Sequence, residues 1–145
     1  MTIKVELVEA CSAEITEAFC RDEPLLSSRP SRLSPETLAY MVASSAYQLL
    51  VARGTGSIRA TLTMAVYQTP RGVKARIDDV VAEQTEDGQA AAVAMLQRAV
   101  RHAEMIGASV IQLVSKPALT VANSTYERLG FRSERHGIYY RTVQN

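Results

Sequence analysis

The chain has 145 residues, 47% of them hydrophobic, which suits one ordinary domain that buries roughly two thirds of its unfolded surface. Sixteen basic and fifteen acidic residues leave a net charge of +1, so no overall field favours nucleic acid or an anionic membrane. No apolar run reaches the length of a membrane span. We therefore expect a single domain over residues 1–145, with neither a nucleic-acid nor a membrane partner.

The cysteines and histidines do not form a pattern typical of a metal or disulfide site. Cys11 and Cys20 match neither a Cys-x-x-Cys redox motif nor zinc-ligand spacing. His102 and His136 are isolated in the sequence, so we expect them to be packed or solvated. The N-terminal residues lack the basic and apolar segments of a cleaved signal peptide. These features favour a reduced, cytoplasmic protein without a metal.

The first half of the chain predicts one strand and two helices. Polar and apolar residues alternate over residues 3–7, as in a half-buried strand. A helix is predicted over residues 12–26 with Ser12 as its cap. A second helix is predicted to begin at Ser34 and Pro35, a serine cap followed by proline at the first helical position.

Three consecutive antiparallel strands follow. The apolar runs over residues 48–53, 58–66 and 73–82 predict the strands. Turns are predicted at residues 54–56, which read Gly-Thr-Gly, and at residues 69–72, which contain proline and glycine. The pattern therefore predicts an antiparallel meander in the middle of the chain.

A long amphipathic helix is predicted over residues 89–107, ending at Gly107. Its expected buried stripe consists of Leu96, Ala99, Val100, Ala103 and Ile106.

A buried strand, a helix and two short strands complete the predicted elements. They cover residues 110–114, 119–129 and 132–142, with Gly130 ending the helix and Gly137 bending the last segment. The whole order predicts an α/β fold with a central mixed, mostly antiparallel sheet flanked by helices.

Two stretches of the second half resemble the GNAT family of N-acetyltransferases. The strand at residues 75–82 leads through Gly88 into the long helix, as in the acyl-coenzyme A half of that family. Residues 123–131, Asn-Ser-Thr-Tyr-Glu-Arg-Leu-Gly-Phe, are similar to its Asn-x-x-Tyr-Glu-Lys-Leu-Gly-Phe signature. The resemblance implies a GNAT-like domain that uses acetyl-CoA to acylate an amine of a small molecule or peptide. It is also compatible with a homodimer formed through the last strand.

The loop that the family uses for the cofactor pyrophosphate is degenerate in this chain. The family pattern Arg-Gly-x-Gly-x-Gly falls on residues 87–92, and only Gly88 is retained. The resemblance places cofactor contacts at Gly88, Gln89, Ala90 and Ala92. A helix start binds anions because its N–H groups are unpaired and its dipole is positive there. Asp87 instead puts a negative charge where the family has a cation.

The same loop has an alternative interpretation as a helix that caps itself. Thr85 can serve as the N-cap, and Glu86 and Asp87 in the first turn complement the helix dipole. The sequence leaves the phosphate loop and the self-capped helix open as alternatives.

The resemblance also implies the catalytic groups. Tyr126 corresponds to the acid that protonates the departing thiolate, and Asn123 to a contact of the pantetheine arm. Asp78 corresponds to the base that takes a proton from the amine. The backbone of Val80, Val81 and Ala82 corresponds to the segment that receives the thioester arm and polarises its carbonyl.

These residues also have purely structural alternatives. Tyr126 fits an apolar helix stripe, and Asp78 can pair with Arg76 on the strand surface. Strand alternation predicts that Asp78 and Asp79 point to opposite faces and form no dyad.

The function that leads is acetyl transfer from acetyl-CoA to an amine. A second possibility is a coenzyme-A-independent enzyme on the same scaffold, such as a cyclase, isomerase or hydrolase. A third is a non-catalytic protein that binds a ligand in the cleft. Fold alone does not decide among these classes.

Overall fold

The computed structural model describes residues 2–26, 33–114 and 123–134, and the single positions 139, 141 and 143. It contains a five-stranded sheet with the strands in sequence order. The strands are β1 (Ile3–Leu7), β2 (Tyr47–Gly54), β3 (Ser57–Thr69), β4 (Gly72–Ala82) and β5 (Ala108–Leu113). The helices are α1 (Ala13–Leu26), α2 (Pro35–Ala43), α3 (Glu86–Met105) and α4 (Asn123–Arg128).

The sheet is mixed, as the sequence predicts. The first four strands pair antiparallel with their neighbours, and β4 pairs with β5 in parallel. The parallel step requires a crossover, and α3 supplies it between β4 and β5. An α/β domain with a central mixed, mostly antiparallel sheet is therefore confirmed.

Helix α3 covers one face of the sheet and forms the main core. Alternate residues of the strands, such as Leu50, Leu62 and Ile77, pack against buried residues of α3, such as Met95 and Leu96. This face belongs to every second residue of each strand because strand side chains alternate. Helix α1 packs on the opposite face.

The core under α1 is smaller. Ile15 and Ala18 of α1 pack on Val51 and Ile58 of the sheet. At this edge Arg53 joins the first two strands to α1, because its guanidinium pairs with both Glu6 of β1 and Glu14 of α1. The hydrogen bond from Arg53 holds the pKa of Glu14 below its usual value, and the Arg53 charge adds to the effect.

The predicted caps are present. The Ser12 hydroxyl accepts a hydrogen bond from the Ile15 amide at 3.2 Å, and the Ser34 hydroxyl accepts one from the Thr37 amide at 3.1 Å. Helix α3 begins at Glu86, before the predicted residue 89, because Thr85 is its N-cap. The side chains of these hydroxyl residues therefore set where the helices begin.

Two predictions of burial are wrong. Ile106 is 38% exposed because α3 ends at Met105 and Ile106 is already the C-cap. The strand predicted as buried at residues 110–114 has no fully buried residue in β5, and Val110 is 45% exposed because a register shift pairs it with Lys74, whose side chain lies on the face away from α3. The predicted residues 119–122 and most of 132–142 lie outside the described residues.

Candidate active site

The strands β4 and β5 pair over only part of the length of β4. The last pair joins Ile77 to Leu113, and the Val114 amide donates to the Ile77 carbonyl at 3.1 Å. Strand β4 continues to Ala82, paired with β3 on its other side. In the part of the chain that the structure describes, β5 does not follow it. Within the described residues, the pairing of the two parallel strands therefore ends at Ile77 and Leu113, five residues before the end of β4.

A β-bulge lies in β4 directly after this last pair. Thr63 pairs with Asp78 and Thr61 pairs with Val81, so two residues of β4, Asp79 and Val80, lie opposite one residue of β3. Asp79 has a φ of 56°, the left-handed region that is costly for most residues but tolerated by aspartate. The bulge shifts the core-facing positions of β4 from odd to even residue numbers.

This bulge removes the basis for one prediction. The expectation that Asp78 and Asp79 point to opposite faces assumed unbroken alternation, and the extra residue breaks it at Asp79. Asp78 remains in register with Thr63, on the face opposite α3. Its carboxylate pairs with Arg76, whose Nε lies 3.2 Å from Oδ1 and 3.1 Å from Oδ2. The ion pair proposed as the structural alternative for Asp78 is present.

The start of α3 is capped by its own residues. The Thr85 hydroxyl accepts a hydrogen bond from the Gly88 amide at 3.0 Å, and Glu86 and Asp87 occupy the first turn. One of the unpaired N–H groups that an anion could use is therefore already satisfied. The two carboxylates add negative charge at the positive end of the helix dipole.

Gly88 has a steric role that the sequence does not reveal. A Cβ at this position would lie 2.1 Å from the Glu83 carbonyl oxygen, so only glycine fits beneath that backbone. Gln89 reinforces the same loop, because its Nε2 donates to the Glu83 carbonyl at 3.2 Å. Arg59 pairs with the Glu83 side chain at 2.8 Å. The loop is thus held by internal contacts centred on Glu83.

The other expected cofactor residues divide between core and surface. Ala92 is fully buried in the main core, while Ala90 is exposed at the start of α3. The last three residues of β4 (Val80, Val81 and Ala82) are buried. Only their backbone is suited to contact a ligand there, since their side chains are occupied by packing.

Tyr126 projects from α4 into the main core and is 6% exposed. Its backbone carbonyl accepts a hydrogen bond from the Phe131 amide at 3.0 Å, and the Gly130 amide donates to the Glu127 carbonyl at 3.0 Å. This is a Schellman C-cap, which places glycine in the left-handed region, and Gly130 has a φ of 93°. The Leu-Gly-Phe part of the signature therefore ends α4. Asn123 is the first residue of α4, and its side chain lies outside the described part.

The structure adds two features that sequence patterns missed. The bulge at Asp79 has no glycine to mark it. The close approach of Gly88, in the first turn of α3, to the Glu83 backbone is not marked by a residue pattern either. Among the described residues, no group of three His, Cys, Asp or Glu side chains is arranged to hold a metal ion. The described helices also include none with the length and apolar character needed to cross a bilayer.

Comparison with solved structures gives the class of fold. A predicted acetyltransferase from Clostridium acetobutylicum, solved with acetyl-CoA, has a TM-score of 0.73 at 16% identity, covering 97% of this chain and 96% of its own. Glucosamine-6-phosphate N-acetyltransferase from Arabidopsis thaliana has a TM-score of 0.74 at 15% identity, covering 99% and 100%. A transcriptional regulator from Bacillus halodurans C-125 has a TM-score of 0.71 at 20% identity, covering 96% and 100%.

This chain therefore has the GNAT fold, the fold of N-acetyltransferases such as the Arabidopsis enzyme. No family model and no curated protein sequence matches it. At these identities the similarity defines the architecture, and function has to be argued from the site.

Proposed function

We propose that this protein is a GNAT-type N-acyltransferase that moves an acetyl group from acetyl-CoA to an amine of a small molecule or peptide. The observation that carries the proposal is the end of β4–β5 pairing at Ile77 and Leu113 within the described residues, with the bulge at Asp79 directly after it. The proposal is that a cleft opens between the two parallel strands beyond this pair and that an extended ligand lies alongside β4 there. The GNAT fold of the chain agrees with this use of the cleft.

The backbone at the end of β4 is suited to hold the acyl end of such a ligand. The proposal places the thioester arm along the backbone of Val80, Val81 and Ala82, where a backbone N–H group would polarise the thioester carbonyl. Acetyl-CoA would supply the activated acetyl group as a thioester. Transfer exchanges the C–S bond for a C–N bond to the amine.

Two side chains account for the protons in this proposal. Asp78, half-buried on β4, would accept a proton from the acceptor ammonium, either directly or through water. Tyr126 would donate its hydroxyl proton to the leaving thiolate and recover it from solvent.

The residues at the start of α3 are poorly suited to bind the diphosphate part of acetyl-CoA. The backbone of β4 is better suited to bind its thioester arm. The Gly88 amide is occupied by Thr85, and Glu86 and Asp87 carry negative charge. Like charges repel, and salt weakens the repulsion between exposed groups. We therefore expect acetyl-CoA to bind weakly, mainly through its arm, and to bind more tightly as the ionic strength rises.

The same capped helix favours a second candidate function. An enzyme that uses the cleft without coenzyme A, for cyclisation, isomerisation or hydrolysis, needs no phosphate site, and Thr85 satisfies the helix end that would form one. The two candidates differ in whether thiol is released from acetyl-CoA.

The test incubates the protein with acetyl-CoA and a mixture of primary amines, and measures free thiol together with the mass of every amine. Acyl transfer predicts thiol release that depends on the amines, matched by an increase of one acetyl group in the mass of at least one amine. A change in the amines that does not need acetyl-CoA would support the second candidate. Absence of amine-dependent thiol release at high salt would overturn the acyltransferase.

A further inference from the structure

Three alternate residues of β4 lie one after another along the sheet face opposite α3. Ala75 and Ile77 belong to the core under α3, so Lys74, Arg76 and Asp78 between and beside them face the other way. Their register partners on β3 are Tyr67, Ala65 and Thr63. On β5 Lys74 pairs with Val110 and Arg76 with Gln112, and both of these β5 residues are exposed. The three residues, here called the β4 charged row, lead directly to the bulge at the cleft.

The row contains hydrogen-bond donors that have no partner among the described residues. Arg76 contacts Asp78 through Nε, and in the described residues no acceptor lies within reach of its two Nη groups. Within the same part of the chain, Lys74 has no carboxylate partner. All three side chains are half-buried, so an anion held there is partly shielded from solvent.

The charges of the row also exclude some ligands. Arg76 neutralises Asp78, and Lys74 leaves the row with a net charge of +1. An acceptor that is only cationic, such as a polyamine, gains little from Asp78 and is repelled by Lys74. An acceptor with both a cation and an anion meets a partner for each charge. A guanidinium fork is also well matched in shape to a carboxylate or phosphate.

We propose that the acceptor is an amine that also carries a carboxylate or a phosphate, with its nitrogen beside Asp78 and its anion on Arg76 and Lys74. This inference rests on the proposed acyl transfer and names its acceptor class. Successive residues on one face of a strand are roughly 7 Å apart, so Arg76 suits an anion close to the amine and Lys74 one further away. Arg76 is then the residue that determines specificity.

The experiment compares acceptors in matched pairs that differ in the anion. Glycine and β-alanine are each measured against their amides, and O-phosphoethanolamine against ethanolamine, with spermidine as the polycation. For the wild type we expect a KM about tenfold or more lower for the anionic member, because a charge-assisted hydrogen bond is lost in the other. The KM ratios of the carboxylate pairs are then compared with the KM ratio of the phosphate pair. The larger ratio identifies which of the two anions the site binds.

Arg76→Gln should remove this preference by raising KM much more for the anionic acceptors than for their neutral partners; loss of the Asp78 ion pair affects both members of a pair alike. The matched control is Arg101→Gln, because Arg101 is an exposed arginine on α3, across the sheet from the row. A general structural effect of Arg76→Gln would instead change both members of each pair by the same factor and leave the preference intact. Equal KM values within each wild-type pair, a preference that survives Arg76→Gln, or spermidine as the best acceptor would each overturn the proposal.

A separate binding measurement distinguishes an error in the proposed acceptor class from an error in the proposed acyl transfer. Backbone amide NMR signals of Lys74 and Arg76 are followed while β-alanine or β-alaninamide is added without acetyl-CoA. Selective shifts with β-alanine support the anion site even if no acetyl is transferred. If acetyl-CoA is used but no anionic amine is acetylated or bound, the acyltransferase stands and the acceptor class is wrong.

Discussion

The hydroxyl of Thr85 accepts a hydrogen bond from the amide of Gly88 at 3.0 Å, at the helix end where the GNAT resemblance predicts a cofactor diphosphate. The bond closes an N-cap and leaves the first turn to Glu86 and Asp87. The central feature of this protein is that its GNAT fold favours a cofactor site at this helix end, whereas the acidic, self-capped helix start disfavours binding of a diphosphate there.

The first prediction concerns this cap. Thr85→Ala should lower the free energy of unfolding by about 1 kcal/mol, because the Gly88 amide loses its acceptor at a part-buried position. Urea unfolding measures the change. Thr85→Ser is the control, since it keeps the oxygen and should remain close to the wild type. If alanine and serine variants were equally stable, the hydroxyl would not be acting as a cap.

The second prediction concerns the bulge. Asp79 has a φ of 56°, and a β-branched residue there costs roughly 1–2 kcal/mol, so Asp79→Val should destabilise the protein by about that amount. Asp79→Asn also removes the carboxylate but tolerates the conformation, and should lose much less. Chemical denaturation of the two variants side by side separates strain from charge. Equal losses would show that the carboxylate matters and the backbone conformation does not.

The sequence was sufficient to predict most of the architecture because the signals were local. The Ser12 and Ser34 caps and the period-two pattern of β1 each depend on residues within one turn or strand. These features do not require knowledge of what lies across the sheet.

Most of the errors and omissions came from contacts that local sequence patterns do not show. The bulge at Asp79 depends on the register between two strands, and the sequence carries no glycine there to indicate it. Val110 lies away from the core because β5 shifts its register against β4. Gly88 was assigned to phosphate binding, and the backbone of Glu83 above it provides an independent reason for glycine. Local sequence patterns do not indicate such contacts.

The third prediction tests Tyr126. If its hydroxyl is the acid, Tyr126→Phe should lower kcat by about 10²-fold or more at saturating amine, since general acid catalysis contributes at least that much. The ring remains in the core, so any loss of stability should stay near the value of one hydrogen bond, about 1 kcal/mol. Tyr139→Phe is the matched control because Tyr139 is 95% exposed. An unchanged kcat would remove Tyr126 from the mechanism.

The fourth prediction concerns acid stability. The hydrogen bond and charge of Arg53 lower the pKa of Glu14 in the folded protein, so this pair stabilises the fold above the unfolded pKa of glutamate. The contribution is lost as the pH falls through the lowered folded value, below the ordinary value of 4.5. Glu14→Gln should therefore lower the free energy of unfolding at neutral pH. In acid, the difference in this free energy between the variant and the wild type should become smaller. A difference that stays constant from pH 7 to pH 3 would contradict the role of this pair.

The most direct measurement of the central claim is a calorimetric titration with acetyl-CoA of the wild type and of Asp87→Arg/Ala90→Gly, with a thermal melt on the same preparations. The double change restores a cation and a close-approach glycine at the helix start. If the cleft is a weakened acetyl-CoA site, the variant should bind about tenfold more tightly, equal to about 1.4 kcal/mol, and the gain should shrink with salt. A lower melting temperature with no detectable binding in either protein would contradict the acyltransferase and favour the coenzyme-independent enzyme.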